Sequence, residues 1–280
     1  MTDGGAGRLA APAKVNLNLN ITGKREDGYH LLDSIVVFTA FGDHLEVAPA
    51  EADIVTMGGR FANSLSAAGD NICLHALSAY RAAGGAAGPL AIHIDKQIPV
   101  GAGLGGGSSD AAAILRHLNT MSGTPLSEDR LAAVALTIGA DVPVCLAGTA
   151  QRMQGIGEKL SPVIPAPHGH LVLARPDAML ATGDVFRHWR QSRSSVGMVD
   201  TARRPEQIIA DGNDLQQAAI SLVPAIGLVL DHLQGCDGAI AAQMSGSGSA
   251  CFGLFADATS ATRAAKQLTD RGLWAVSTRF

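Results

Sequence analysis

The segment Pro99-Val100-Gly101-Ala102-Gly103-Leu104-Gly105-Gly106-Gly107-Ser108-Ser109-Asp110 places five glycines in seven positions just before an alanine-rich stretch. Glycine opens dihedrals closed to other residues, successive N–H groups can converge on an anion, and a helix that follows adds its positive end. Phosphate is the guest this chemistry suits. A flexible linker would not be flanked, as this segment is, by a strand pattern on one side and a helix pattern on the other. Gly101, Gly103 and Gly106 satisfy G-x-G-x-x-G, but a dinucleotide loop needs an acidic residue about 20 positions further on, at the end of a second strand. Glu128 lies near that distance and opens a helix instead. No Gly-Lys-Ser or Gly-Lys-Thr occurs in the chain, so the Walker loop is absent. What remains is a phosphate loop of a third type.

Other residues have types that could do chemistry. Asp141 follows Gly139 and Ala140 and precedes Val142 and Pro143. A carboxylate in such apolar company needs a partner or a function if it is buried. It reads either as a turn aspartate at a helix C-terminus or as a general base. Lys14 interrupts the apolar start of a strand, where a lysine is ordinarily a solvated edge residue. Asn16 lies two residues on, hence on the same strand face. Tyr29 and His30 follow an Asp27-Gly28 turn in a chain with only 4% aromatic residues. His168 and His170 lack the further ligands a zinc site needs. Arg187, Arg190 and Arg193 around Trp189 read as a solvated helix face. The four cysteines, Cys73, Cys145, Cys236 and Cys251, form no C-x-x-C pair and read as reduced core thiols.

These residues need elements to position them. The chain has 280 residues, 47% hydrophobic and 16% charged, which suits a sizeable core and excludes the signature of disorder. With a net charge of −4 there is no general attraction to nucleic acid or anionic lipid, so any phosphate site must be local. The longest apolar stretch, residues 131–140, falls short of a membrane span, and no secretory signal is visible, which makes the cytoplasm the expected location. Residues 14–21 alternate with period two and predict a half-buried strand; 34–41 and 44–47 predict further strands. Residues 70–83 predict a helix behind an Asp or Asn cap, 92–98 a strand, 108–119 a helix and 127–138 another behind Ser127. Three prolines between 160 and 170 mark the expected domain boundary. Beyond it the pattern predicts strands at 171–174, 239–244, 251–254 and 274–278. Helices are expected at 214–222, 224–233 and 258–271, a split βαβ sandwich.

Residues 99–112 resemble the ATP loop of the GHMP kinases. A-P-A-K-V-N-L at 11–17 is similar to the first motif of that family, and M-S-G-S-G-S-A at 244–250 to its third. R-E-D-G-Y-H at 25–30 and G-A-D-V-P at 139–143 resemble the branch whose acceptor is a CDP-linked methylerythritol. The resemblance covers nearly the whole chain and is weakest at 192–204. It implies an α+β, two-domain fold: an N-terminal ATP-binding domain like ribosomal protein S5 over 1–160, and a C-terminal ferredoxin-like α/β sandwich over 161–280. The implied activity, in a cleft between the two, is transfer of the ATP γ-phosphoryl group to the acceptor 2-hydroxyl, in the methylerythritol phosphate route to isoprenoid precursors.

The implied roles follow motif by motif. Asp141 would be the base, and Lys14 would lie beside it, hold it ionised and orient the hydroxyl. Residues 99–109 would cradle ATP, with Asn71 and Lys96 lining the adenosine pocket. Asn16, Tyr29, His30, Thr182 and Phe186 would bind the acceptor, with Tyr29 and His30 stacking on cytosine and bonding its edge, and Phe186 closing the other side. Mg²⁺ is expected to accompany ATP, with no protein ligand for it identified. A GHMP kinase for homoserine, mevalonate or a sugar is the alternative within the family, and a non-catalytic ligand-binding regulator of the same fold the alternative outside it. The retained Lys14 and Asp141 speak against the regulator, and segment 25–30 against another acceptor.

Overall fold

The computed structural model describes residues 7–62, 71–190 and 203–280. The chain forms two compact units, one drawn from Met1–Ala13, Gly42–Val100 and Gly105–Gly148, the other from Lys14–Phe41, Gly101–Leu104 and Thr149–Phe280. Strands β1 (Gly7–Asn16) and β3 (His30–Pro49) contribute residues to both.

In the first unit, β4 (Ile54–Gly58) runs parallel to β5 (Leu90–Asp95), and β5 pairs antiparallel with the last part of β3, His44 facing Asp95 and Pro49 facing Leu90. Its helices are α1 (Ile72–Ala82), α2 (Gly106–Met121), α3 (Glu128–Ile138) and α4 (Val142–Ala147). Tyr80 of α1 is fully buried and donates its hydroxyl to Asn119 Oδ1 of α2 at 3.2 Å, so an aromatic ring fills the core while its polar tip finds a partner. Local caps end the helices as their residue types predict. Asn71 Oδ1 accepts from Cys73 N at 2.8 Å and Ser127 Oγ from Arg130 N at 3.4 Å. Asp70, the other candidate cap for α1, lies outside the described residues.

In the second unit, β2 (Asn20–Lys24) and β6 (Gln151–Gly155) pair antiparallel with the first part of β3, and β7 (Lys159–Pro162) pairs with β6. A separate four-stranded antiparallel sheet has the order β11 (Trp274–Arg279), β8 (His170–Arg175), β10 (Cys251–Phe255), β9 (Ala239–Met244). Helices α5 (Thr182–His188), α6 (Pro205–Ile209), α7 (Gln216–Leu222), α8 (Ala225–Gln234) and α9 (Ala258–Asp270) accompany it. Every residue of β10 is buried, as an inner strand covered on both faces requires. Val172, Val185, Leu215, Ile226, Val229, Leu233, Phe255 and Leu268 belong to one core there.

Two expectations are corrected. Residues 14–21 are not one half-buried strand: β1 stops at Asn16, β2 starts at Asn20, and every residue from Ala13 to Leu19 is buried. The asparagines point into a polar network instead of into water, with Asn18 Oδ1 accepting from Ile35 N at 2.7 Å. Conversely, β3 is a single strand where two were expected. A Cβ at Gly42 would stand 2.3 Å from the Ala11 carbonyl oxygen, so only glycine lets the strand pass. The Asp43 carboxylate that follows is fully buried and met by donors described below.

Candidate functional site

The glycine loop enters from Ile98 and leaves into α2. Gly101, Gly103 and Gly105 all take left-handed φ, +65°, +75° and +66°, and Gly105 is the N-cap of α2. Three glycines in this alternation turn the backbone in a way that L side chains resist. Ala102 and Leu104 between them are buried anchors, and Pro99 is buried as well, while Val100, Gly106, Gly107 and Ser108 are half-buried and Gly101 is exposed. Helix α2 starts two residues earlier than its side-chain pattern predicts, because Ser109 N donates to Gly105 O at 2.8 Å. The Ser109 hydroxyl donates to Pro12 O at 2.8 Å and ties that first turn to β1.

Segments far apart in sequence meet at residues 102–104. Lys14 N donates to Leu104 O at 2.9 Å, and Ala250 N to Ala102 O at 3.0 Å. The Ser245 hydroxyl donates to Gly103 O at 3.4 Å and accepts from Asn16 N at 3.2 Å. The stretches that carry Lys14 and Asn16, the glycine loop, and Ser245 to Ala250 are therefore one backbone assembly. Asn213 completes it. Its Nδ2 donates to the carbonyls of Met244 and Gly246, both at 2.8 Å. Sequence reasoning missed Asn213, which stands immediately before the helix expected at 214–222.

The single side chains fall as follows. Lys14 is 4% exposed, between Ala13 and Val15 at 0%, which is not the setting of a solvated edge lysine. Asn16 is 1% exposed. Its Nδ2 donates to the Ser34 hydroxyl at 2.8 Å, and its buried Oδ1 has no partner among the described residues. An acceptor left dry in this way is costly unless a ligand supplies the donor. Asp141 is half-buried at the residue before α4, and its carboxylate does not cap that helix.

In the segment expected to bind the acceptor, Gly28 takes φ +91° and the turn is closed by Arg25 N donating to Tyr29 O at 2.7 Å. This leaves Tyr29 61% exposed. His30 stacks on Phe186, with ring centroids 5.1 Å apart at 20°, and meets Trp189 edge-on at 5.3 Å. Burial, helped by the Lys24 charge, lowers the His30 pKa and favours the neutral imidazole, which can both donate and accept. The Thr182 hydroxyl lies 2.9 Å from that of Ser247, so α5 begins against the Met244 to Ala250 segment. The structure thus groups His30 with Phe186 and Thr182 with Ser247. Of the basic cluster, Arg187 pairs with Asp184 and Arg190 is exposed, while Arg193 lies outside the described residues, as does 191–202.

Asn71 and Lys96 carry structural bonds of their own. Besides the Asn71 cap, the Lys96 ammonium is 2% exposed and held by Asp43 Oδ2 at 2.5 Å and Asp110 Oδ2 at 2.6 Å. Burial lowers its pKa, but the two carboxylates together outweigh that and hold it charged. Neither aspartate was singled out in the sequence. Among the described residues no group of three or more His, Cys, Asp or Glu side chains is arranged to hold a metal ion. The four cysteines are free thiols, three buried and Cys236 half-buried. Among the described residues no helix is long and apolar enough to cross a membrane.

Comparison with known proteins adds the following. The family models described as GHMP kinases N terminal domain and GHMP kinases C terminal match residues 71–149 and 199–272. The chain is 43% identical over 270 residues to the 4-diphosphocytidyl-2-C-methyl-D-erythritol kinase of Rhizobium johnstonii, covering 94% of this chain and 89% of that one. It is 44% identical over 265 residues to the enzyme of the same name from Paramagnetospirillum magneticum, 93% of each chain being covered. A crystal structure of 4-(cytidine 5'-diphospho)-2C-methyl-D-erythritol kinase superposes with a TM-score of 0.83 at 33% identity over 98% of both chains. A homoserine kinase from Cytophaga hutchinsonii shares the fold, with a TM-score of 0.67 at 15% identity over 100% of this chain and 95% of its own.

Proposed function

The chain belongs to the GHMP kinases, and from that premise we propose that it phosphorylates the 2-hydroxyl of 4-diphosphocytidyl-2-C-methyl-D-erythritol with ATP, in the non-mevalonate route to isoprenoid precursors. The observation that carries this reading is the identity of 43% spread over 94% of the chain. A kinase for homoserine, mevalonate or a sugar would share the fold alone, as the 15% identity to a homoserine kinase illustrates. A coupled ADP-release assay with CDP-methylerythritol, homoserine, mevalonate and galactose tests it. Turnover with the first is expected, and turnover with one of the other three alone would overturn the assignment.

The reaction needs a cradle for the triphosphate, a positioned hydroxyl and a group to take its proton. The acceptor oxygen attacks the γ-phosphorus, the bond from that phosphorus to the β,γ-bridging oxygen breaks, and ADP leaves. Asp141 takes the hydroxyl proton, and Lys14 supplies a cation that steadies the oxygen as charge develops. Within residues 99–109, backbone N–H groups of the residues between Pro99, which has none, and Ser109, whose N–H is bonded to Gly105 O, meet the phosphates. Mg²⁺ arrives with ATP as part of the co-substrate and is assigned no protein ligand. Toward the adenosine end, Lys96 retains one of its three ammonium donors, and Asn71 the Nδ2 of its amide. The Asn16 Oδ1 accepts from the acceptor. The division into domains at 160 and 161 belongs to the same reading, with the two family models falling on either side of it. So does a cytoplasmic location.

At the cytidine end, the exposed Tyr29 ring offers a stacking face, His30 a donor and acceptor for the base edge, Phe186 a second ring, and Thr182 a hydroxyl. Stacking of a base on an aromatic side chain contributes about 1 to 3 kcal/mol, so Tyr29→Ala is expected to raise the acceptor KM by about five- to 150-fold. The KM for ATP should stay within twofold, and Tyr29→Phe should lie close to the parent because the ring remains. Steady-state kinetics with each substrate varied in turn check this; equal losses for both substrates would remove Tyr29 from the acceptor site.

A further inference from the structure

Beside the start of α2 lies a charged cluster in which only Lys96 has so far been given a role; its two aspartates have none. The Lys96 ammonium follows β5 and sits between Asp43 of β3 and Asp110 of α2. Asp43 does more than pair with it: its Oδ1 accepts from Gln97 N at 2.6 Å and from Ile98 N at 2.7 Å. Those are the backbone groups that lead into the loop. On the other side, a Cβ at Gly106 would stand 3.1 Å from the Lys96 Nζ, so the ammonium backs directly onto the first residue of α2. Asp110 follows one turn later. The cluster therefore grips the strand end before the loop and the helix start after it.

Resting on the reading of this loop as the ATP cradle, we infer that Asp43 and Asp110 are positioning residues for the triphosphate, acting through Lys96 on the two ends of the loop. Two carboxylates share one ammonium, so with both ionised the cluster holds one excess negative charge away from water. The groups facing Asp110 are Lys96, Asp43 and, from α1, the buried Cys73, whose thiol is kept protonated by burial and by the Asp110 charge. The second oxygen of Asp110, Oδ1, is buried with no hydrogen-bond partner among the described residues, a poor place for a full charge. Burial accordingly raises the Asp110 carboxyl to about 7, with Lys96 pulling against the rise and Asp43 adding to it. A triphosphate settling on the far side of the same loop brings further negative charge and favours the neutral carboxyl. ATP binding and protonation of Asp110 thus promote one another, because each relieves the repulsion the other would meet.

The test uses the full chain and ATP without acceptor. Calorimetric titrations at pH 7 in two buffers of different ionisation enthalpy count the protons taken up on binding. ATP's own titration is common to parent and variant, so the difference between them reports Asp110. The parent is expected to take up about half a proton more than Asp110→Asn, which keeps the shape and the acceptor for Lys96. The affinity ratio, variant over parent, should rise about tenfold between pH 6 and 8.5, whatever constant offset the lost ionic bond adds. Lys96→Met, which cuts the tie at both ends, should raise the KM for ATP by about tenfold or more and leave the acceptor KM within twofold. Equal proton counts and a flat affinity ratio would overturn the proposal. Should Lys96→Met fail to fold, the Asp110→Asn arms decide alone. A parent chain that does not bind ATP would sink the kinase reading instead.

Discussion

Asp141→Asn is expected to lower turnover by about 10² to 10⁴, the usual contribution of a general base, which is roughly 3 to 5.5 kcal/mol of barrier. The amide keeps the size and much of the hydrogen bonding of the carboxylate and loses its basicity, so the effect should fall on the chemical step. Because the Asp141 carboxylate does not cap α4, the substitution costs that helix no cap. Substrate affinities should change little, and removing a negative charge near bound triphosphate relieves repulsion if it does anything. Lys14→Met should differ: on the proposed role of Lys14 it removes a cation acting at both the hydroxyl and the phosphates, so turnover and ATP affinity should fall together. The two changes should be non-additive, since once either is gone the other no longer works on a reactive hydroxyl. Single-turnover transfer and equilibrium binding on both single variants and the double measure this. Asp141→Asn within about threefold of the parent would remove the base assignment.

Gly103→Val is expected to weaken ATP binding by roughly 30-fold or more, the sum of a forbidden backbone and an overfilled space at about 2 to 6 kcal/mol. At φ +75° a side chain is strained whatever room it has. Here there is none: a Cβ would stand 2.8 Å from the carbonyl oxygens of both Ser245 and Gly248. Backbone oxygens cannot swing aside as a side-chain tip can, so the loop must open. Gly101 supplies the control. Its φ is +65°, but a Cβ there meets nothing nearer than the Met179 methyl at 3.7 Å. Gly101→Ala should therefore bear the strain alone, about 1 to 2 kcal/mol, and lose ATP affinity by less than about 30-fold. Calorimetry with ATP and, separately, with CDP-methylerythritol reads the loop apart from the fold. Normal ATP binding by folded Gly103→Val would show that the loop does not cradle the nucleotide.

Much of this architecture was legible because it is local. The glycine loop between a strand and a helix, the caps Asn71 and Ser127, and the period of α9 are written in neighbouring residues, and the structure keeps them. What was not legible depends on partners distant in sequence. Asp43 reads as a turn residue after Gly42, and nothing within ten positions marks it as buried; its partner Lys96 is 53 residues on. Asn16 and Asn18 alternate with apolar neighbours as solvent-facing residues do, yet they face Ser34 and Ile35 in a buried network. Phe186 was named for a base, and in this structure its ring lies on His30, a pairing that no period in either segment encodes. That the stretches around 14, 103 and 245 meet could be supposed only from their resemblance to a family in which they act together.

The bonds that hold residues 102–104 also impose an order on assembly. The Gly103 carbonyl is bound by the Ser245 hydroxyl, 142 residues further along, and Ala102 by the backbone of Ala250. Closing so long a span is entropically dear and slow compared with winding α2, which needs only its own neighbours. During synthesis the ribosome must therefore deliver more than a hundred residues beyond the loop before the loop can acquire its bound shape. A nascent chain arrested before Ser245 would carry every residue of the glycine segment and still lack the framework that presents it, so nucleotide affinity should switch on late in translation and abruptly, a built-in report that the C-terminal half has folded.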